Sequence, residues 1–342
     1  MRQNKINEGI CLNTTEEFYR SSPYGIAPHE TTVSHYLRHR NIYTKKRLSY
    51  GKTIAKEFIN KGVLKDGATI LEIGGGEGDL ARNFIEYLIK DGINILQYIM
   101  LDINPHFLSL QKNKTKKFLG NVGFILANSL PKLPFENESI DFIIANEVIG
   151  DFPVIKNLRP KVIRDYQNIL QAEYGSDELA LLEEAVNVIK KYDLQIPQRK
   201  KFSLNYGAIL FLLGAFDVLK PNGSVFISEH SCEIAKTNYW EELPGLLLPH
   251  EEKGFPSRIS LKGHDEYNIK FSHLEAVAER IGFKVESAAL EELLELRSFG
   301  RIEESADLII NNGAMGNSIG HQLEIYDFVP TMLQFRYLLL AK

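Results

Sequence analysis

From residue 67 onward, short apolar runs alternate with stretches in which apolar positions recur at helical spacing. Runs at 68–73, 96–101, 123–127 and 140–145 are rich in Ile, Leu, Phe or Val, and each gives way to Gly, Asp, Asn or Glu. Unbroken apolar runs fit strands covered on both faces, and their alternation with helices predicts βαβ units in a parallel sheet. Polar residues collect at the carboxyl ends of these strands, the edge where open α/β sheets bind ligands. A further strand at 224–228 follows Lys220, Pro221, Asn222 and Gly223, turn formers expected to end the preceding helix. Ser272 and Glu275 stand at capping-box spacing before a helix with Leu274, Val277, Ala278 and Ile281 on its apolar face, and Gly282 supplies a left-handed stop. The last two strands are expected at 283–288 and 335–341.

Two stretches break the alternation. Residues 155–204 are expected to be mainly helical: Ser176 caps a helix, Asp177 and Glu178 occupy its first turn, and Leu179, Leu182, Val186 and Ile189 form one stripe. Residues 298–334 hold Gly300, Gly313, Gly316 and Gly320 with little periodicity and read as a long loop or lid. The pattern divides the chain into a helical N-terminal cap at 1–66, a core at 67–154 and 205–342, and a helical insertion at 155–204.

At 342 residues the chain lies between one large domain and two. A hydrophobic fraction of 44% and a charged fraction of 25% exclude wholesale disorder, collagen-like repeats and a disulfide scaffold. Forty basic against 44 acidic residues give a net charge of -4, so bulk charge points to neither nucleic acid nor membrane. The two cysteines, Cys11 and Cys232, are too few for a disulfide framework or a Cys-based zinc site and fit a reducing compartment. No apolar run approaches the roughly 18 residues of a membrane span. The N-terminus also lacks the apolar stretch of a signal peptide, so a cytoplasmic protein is expected. Arg38, Arg40, Lys45, Lys46, Arg47, Lys52 and Lys56, interleaved with Tyr43 and Tyr50, read as a solvated face, with an anionic acceptor or an RNA surface as the sharper alternative.

Chemistry enters with the run 70–79, a strand leading through Gly74, Gly75, Gly76, Glu77 and Gly78 to Asp79, after which Leu80, Phe84 and Leu88 continue as a helix. Glycines let backbone amides approach a ligand closely. A dinucleotide fingerprint counted from Gly74 needs its third glycine where Asp79 stands, so the pyrophosphate-binding pattern fails. Glu72 ahead of the loop and Asp79 beside it would repel a pyrophosphate and attract a cationic ammonium or sulfonium. Asp102, 24 residues after Gly78, ends the second strand, where an acid accepts hydrogen bonds from ribose hydroxyls. Asn128 and Ser129 can pair with an adenine edge, with Ile103 and Leu130 against the faces of the ring. S-adenosylmethionine, a nucleoside without phosphates and with a cationic tail, is therefore the expected cofactor, and no metal is required.

Glu72 to Gly78 with Asp102 resemble motifs of class I S-adenosylmethionine-dependent methyltransferases. That resemblance implies an α/β, Rossmann-like sheet of seven strands, one of them antiparallel, with helices on both faces. Asp102, Ile103, Asn104 and Pro105, with Gln111 six residues on, are similar to the Glu-x-Ser-Pro followed by Gln of the MidA-type family, which includes a mitochondrial complex I assembly factor that methylates a protein arginine. The run 145–154 is similar to that family's Ala-Asn-Glu-Phe-Phe-Asp-Ala-Leu-Pro-Val, and 269–283 resembles its closing Val-x-Phe, helix and Gly element. The resemblance covers residues 67–155 and 205–297. Gly150 stands where the family has aspartate, with Asp151 one place later, and Glu229, His230 and Ser231 replace its acidic residue, Tyr and Gly. Residues 43–51 carry basic side chains where its Thr-x-Pro-Glu-x-Ser has an acid.

The resemblance implies methyl transfer to nitrogen, with a guanidinium in a protein, peptide or free metabolite as acceptor. A guanidinium is permanently charged and delocalised, so carboxylates must clamp it. Glu147 at the end of the fourth strand is the first choice, with Asp151 or Glu229 as a second acid, and Asn146 holding the methionine portion or the acceptor. The alternative for Glu147 is a helix cap or a surface ion pair. His230 could act as general base for a hydroxyl or amine, the alternative being a hydrogen-bonded structural histidine; the same pair of readings covers His264 and Tyr24. The rivals are a small-molecule O- or N-methyltransferase with a His or carboxylate base, and a non-catalytic S-adenosylmethionine-binding assembly or sensor protein.

Overall fold

The apolar runs become the strands of one seven-stranded sheet in a computed structural model that describes residues 9–21, 33–39, 41, 43–168, 174–233, 254–261, 263–297, 332 and 334–342. These strands are β1 (Ala68–Ile73), β2 (Ile95–Asp102), β3 (Val122–Leu126), β4 (Ile140–Asn146), β5 (Leu219–His230), β6 (Lys284–Ala289) and β7 (Phe335–Ala341). Their spatial order is β6-β7-β5-β4-β1-β2-β3. Strand β7 runs antiparallel to both neighbours, and the remaining pairs are parallel. This is the Rossmann-like class I methyltransferase arrangement that the resemblance implies. The strand order reverses about β1 and β4, which puts their carboxyl ends at the switch point where such sheets bind ligands.

Helices cover both faces because successive residues of a strand point to opposite sides. All of β1 is buried: Ile70 joins the layer under α1 (Tyr50–Asn60) and α2 (Asp79–Lys90), while Leu71 and Ile73 join the layer under α5 (Tyr206–Val218) and α6 (Phe271–Ile281). In the first layer the Phe58 ring meets Phe142 and Phe226 edge-on, each at 5.0 Å. Between β2 and β3 runs α3 (Pro105–Lys114), and α4 (Ser176–Tyr192) adds its buried side chains to the apolar cluster of α5 and α6.

The structure departs from the local signals at four places. Strand β5 begins at Leu219 rather than Ser224, because Pro221, Asn222 and Gly223 form a bulge inside it: the register jumps from Ile140 opposite Leu219 to Phe142 opposite Ser224. The Ser272–Glu275 capping box does not form. Ser272 lies within α6, and Glu233 from the end of β5 takes its amide at 2.8 Å and its hydroxyl at 2.6 Å, while Glu275 pairs with Arg336 at 3.2 Å. Ser176 is the first residue of α4 and Gly175 its cap. Residues 155–204 are not wholly helical. Strands Val154–Leu158 and Phe202–Leu204 bracket α4 and form a small antiparallel sheet with Cys11–Asn13, tying the N-terminal stretch to the core. The expected stripe on α4 does pack inward, with Leu182, Val186 and Ile189 buried and Leu179 half-buried. The proposed lid at 298–334 falls outside the described residues except for Met332 and Gln334.

Candidate functional site

The turn after β1 is shaped by backbone requirements before any ligand is considered. Gly74 has φ +61°, and a Cβ there would lie 2.5 Å from Cγ2 of Val148, so the loop and the turn after β4 touch without room for a side chain. Gly78, at φ +86°, opens α2, and a Cβ there would meet the Cα of Gln111 at 2.9 Å. Gln111 explains the spacing from Asp102: its Nε2 donates to the Gly76 carbonyl and to Asp102 Oδ2, both at 2.9 Å. One side chain thus ties the glycine loop to the acid at the end of β2. Asp102 also accepts from the Asn104 amide at 2.9 Å. Burial raises its carboxyl to about 6, against the pull of the Asn104, Gln111 and Ile103 donors.

A cavity of about 360 Å³ opens over these strand ends. Gly74, Gly76, Asp102, Ile103, Asn128, Ser129, Glu147 and Asp151 line it, together with Leu12, Glu16, Tyr19 and Val148. Asn128 Oδ1 accepts from the Leu130 amide at 2.9 Å, which turns the chain after β3 along the wall. The charged lining residues are Glu16, Asp102, Glu147 and Asp151, and none of the described lining residues is Lys, Arg or His.

Not every residue read from the sequence reaches this wall. Asp79 is engaged outside it, by Lys114 at 2.8 Å and Arg82 at 3.1 Å. Gly75 and Gly78 lie in the loop but not on the lining. Glu72 lies beneath the loop, 2% exposed, accepting from the Tyr98 hydroxyl at 2.8 Å. Burial drives its carboxyl to about 7, opposed by Tyr98 and reinforced by the charge of Asp102. Its folded-state value exceeds its unfolded one, so the stability it contributes is complete below about 4.5 and is lost as pH rises through about 7. The ligand-free protein is therefore expected to lose on the order of 3 kcal/mol between about pH 5 and pH 8 from this group. Glu72→Gln should flatten the decline in thermal midpoint over that window; an unchanged profile would show that Glu72 is not its source.

The end of β4 is held by a separate network. Asn146 Oδ1 accepts from the Tyr50 hydroxyl and, at 2.5 Å, from Ser228, while its Nδ2 donates to Glu147 at 3.0 Å. Glu147 has φ +51°, a conformation that costs a non-glycine residue about 1–3 kcal/mol. Its oxygens accept from the Val33 amide at 2.7 Å and the Ser34 amide at 3.0 Å, at the start of a short helix, Val33–Tyr36. Burial raises the Glu147 carboxyl, and the Ser34, Val33 and Asn146 donors pull it back. Glu229, also buried, accepts from the Gly150 amide at 3.1 Å and the His230 amide at 2.8 Å. Burial, then the charge of Glu266, pushes its carboxyl well above the ordinary glutamate value, against the pull of the His230 and Gly150 amides. A Cβ on Gly150 would stand 3.2 Å from the Tyr267 carbonyl oxygen and 3.3 Å from the Glu229 carboxyl carbon, so a side chain there would press on both.

Glu229 and His230 are not on the cavity lining, and the His230 ring packs edge-on against Phe335 at 4.7 Å. Tyr24 lies outside the described residues. In the basic stretch, Lys46 pairs with Glu57 and Glu295 and Lys52 with Glu86, as a solvated face would.

One group on the wall carries no signature in the sequence. Tyr19, on the short helix Glu16–Ser21, sits 3.1 Å from His264 Nε2, and Asp151 and Glu266 flank the same nitrogen. No local pattern signals a contact across 245 residues.

A family model described as a methyltransferase domain matches residues 64–254. The ubiquinone/menaquinone biosynthesis C-methyltransferase UbiE of Teredinibacter turnerae is 28% identical over 130 residues, 36% of this chain and 50% of that protein. The UbiE protein of Pseudomonas paraeruginosa is 30% identical over 129 residues, 36% of this chain and 48% of its own length. The chain thus spans about half the length of these curated relatives. Among solved structures, an uncharacterised protein from Burkholderia thailandensis superposes with a TM-score of 0.52 at 14% identity, over 86% of this chain and 79% of that one, a likeness of fold.

Proposed function

The chain belongs to the methyltransferase-domain family, whose cofactor is S-adenosylmethionine, and we propose that it methylates a cationic nitrogen acceptor. The observation that carries this reading is that the charged side chains among the described lining residues, Glu16, Asp102, Glu147 and Asp151, are all acidic. Carboxylates favour a positively charged ligand over a neutral one. The same wall suits the sulfonium of the cofactor. Asp102 would accept from the ribose hydroxyls, Asn128 and Ser129 would meet the adenine edge between Ile103 and Leu130, and the loop from Gly74 to Gly78, over Glu72, would hold the amino-acid portion. When bound, the cofactor supplies an electrophilic methyl carbon, so the protein's own work is to bind, orient and handle the proton.

We read the acceptor as a guanidinium, with Asp151 on the wall as its clamp and Glu147 positioning the turn that carries Val148 and Asp151. The run 145–154 supports the finer placement near the MidA-type family, and the free cysteines Cys11 and Cys232 support a cytoplasmic setting. No helix among the described residues is long and apolar enough to cross a membrane. A hydroxyl-bearing small molecule is the second reading, favoured by the apolar walls that Leu12, Phe107, Phe152 and Leu210 provide. Incubation with labelled cofactor and a panel of arginine peptides, free arginine, primary amines and phenols tests the choice by mass spectrometry. Methylated nitrogen is expected; product from phenols alone would reverse it, and tight cofactor binding with no product would favour a binding protein.

A further inference from the structure

Three remote parts of the chain meet at one imidazole on the edge of the cavity. Tyr19 comes from the N-terminal helix Glu16–Ser21, Asp151 from the turn after β4, and His264 and Glu266 from the hairpin of Arg258–Ser260 and Asp265–Tyr267. His264 Nε2 lies 3.1 Å from the Tyr19 hydroxyl, 3.4 Å from Glu266 Oε1 and 3.7 Å from Asp151 Oδ1. The His264 side chain is 3% exposed, and Phe18 stacks on its ring at 4.3 Å. Asp265, the remaining acid of the hairpin, is paired with Arg258 at 2.7 Å. The arrangement is fixed from the backbone: Thr15 Oγ1 donates to the Asp151 carbonyl at 2.8 Å, and Asn104 Nδ2 donates to the Tyr19 carbonyl at 2.7 Å. Tyr19 and Asp151 face the cavity, whereas His264 stands behind them.

We propose that these four residues form a proton relay for the methyl acceptor, with Tyr19 in contact with the acceptor and His264 as the residue that receives the proton. The inference rests on the nitrogen-acceptor reading, because such an acceptor sheds a proton when it is methylated. The relay uses the tautomer with the ring proton on Nδ1, in which His264 Nε2 accepts from the Tyr19 hydroxyl, and the 3.4 Å contact with Glu266 becomes a hydrogen bond once Nε2 is protonated. An acceptor N–H bond breaks as a Tyr19 O–H bond forms, and the original Tyr19 O–H proton becomes the Nε2–H of His264. Tyr19 is restored, and one proton has moved from the cavity to the ring. Asp151 and Glu266 compensate the charge the imidazole gains, and Glu266, 3.4 Å from the same nitrogen and 19% exposed, takes the proton on to solvent. Imidazole is suited to this task because it takes and gives up protons near neutrality. The other acids on the described wall are already engaged: Glu16 pairs with Arg20, Glu147 is bound by two backbone amides, and Asp102 by Asn104 and Gln111.

Tyr19→Phe and His264→Ala test the relay in the full-length protein. Both are expected to bind S-adenosylmethionine as the unaltered protein does in calorimetry and to lose turnover by about 100-fold. Added imidazole should restore activity to His264→Ala, which a merely structural histidine would not allow. Tyr19→Phe keeps the ring and its packing, so it isolates the hydroxyl if His264→Ala proves unstable. In ¹⁵N spectra of histidine-labelled protein, the His264 Nε2 resonance should move in Tyr19→Phe, a readout that needs no acceptor. An unmoved resonance, full activity in either variant, or inactivity that imidazole does not relieve would overturn the relay. So would a stoichiometric divalent cation in the purified protein that disappears in His264→Ala. Methylation of phenols alone, with imidazole rescue intact, would instead remove the nitrogen reading and keep the relay.

Discussion

Asp102→Ala is expected to weaken binding of S-adenosylmethionine and of its demethylated product by about 100-fold or more. The residue is 4% exposed, lines the cavity and is oriented by Asn104 and Gln111, so its carboxylate is set before a ligand arrives. Hydrogen bonds to a charged group contribute about 1.5–3 kcal/mol each. Losing those to two ribose hydroxyls therefore removes about 3 kcal/mol or more, or about two decades of affinity. The pH dependence carries the same sign. With the carboxyl at about 6 in the ligand-free protein, binding below that pH must first expel a proton, so affinity should fall as pH drops through about 6. Calorimetry at about pH 8 and pH 5 checks both statements, with the thermal midpoint measured alongside because Ala leaves two donors facing an empty site. Unchanged affinity at pH 8 would remove Asp102 from the cofactor site, and with it the ribose assignment.

What the chain displays locally, it displays well. The central strands are legible because burial on both faces makes them unbroken apolar runs, as in β1, buried throughout, and β4, buried at all positions but Asp141; β7 is expected at its observed bounds, 335–341. Gly282 is legible because a left-handed helix stop demands that residue type, and it sits at φ +108°. The site was only partly legible, for a physical reason. Sequence shows which acids stand at strand ends, but not which partners claim them. Asp79, a neighbour of the glycine loop, belongs to Lys114, 35 residues away. Glu233 displaces the local Ser272 cap because a charged acceptor from the end of β5 satisfies more of the helix start than a hydroxyl does. Tyr19, His264 and Glu266 have no common period; the small sheet that anchors the N-terminal stretch, with the Thr15–Asp151 and Asn104–Tyr19 hydrogen bonds, brings Tyr19 to them.

Glu147→Gln should lower turnover by about 100-fold while leaving cofactor affinity within a few-fold of the unaltered protein. Both Glu147 oxygens act as acceptors, toward the Val33 and Ser34 amides and Asn146 Nδ2. Glutamine supplies one acceptor and a donor, so one buried N–H must face another N–H, a mismatch worth about 1–3 kcal/mol. The consequence depends on where the segment is anchored. Val33 and Leu37 are fully buried, the Leu37 carbonyl takes the Tyr50 amide at 2.7 Å, and the Arg38 carbonyl takes Asn83 at 3.0 Å. The segment therefore stays packed along α1 and α2 but loses its hold on the turn after β4, which carries Val148 and Asp151 on the cavity wall. Hydrogen exchange at Val33 and Ser34 separates the possible roles. Faster exchange together with lost turnover makes Glu147 a positioning residue. Lost turnover with those amides still protected would mean that its carboxylate acts on the acceptor directly. Full turnover would exclude both roles, and Glu147→Asp, which keeps both acceptor oxygens and the charge on a shorter arm, should retain more activity than Glu147→Gln.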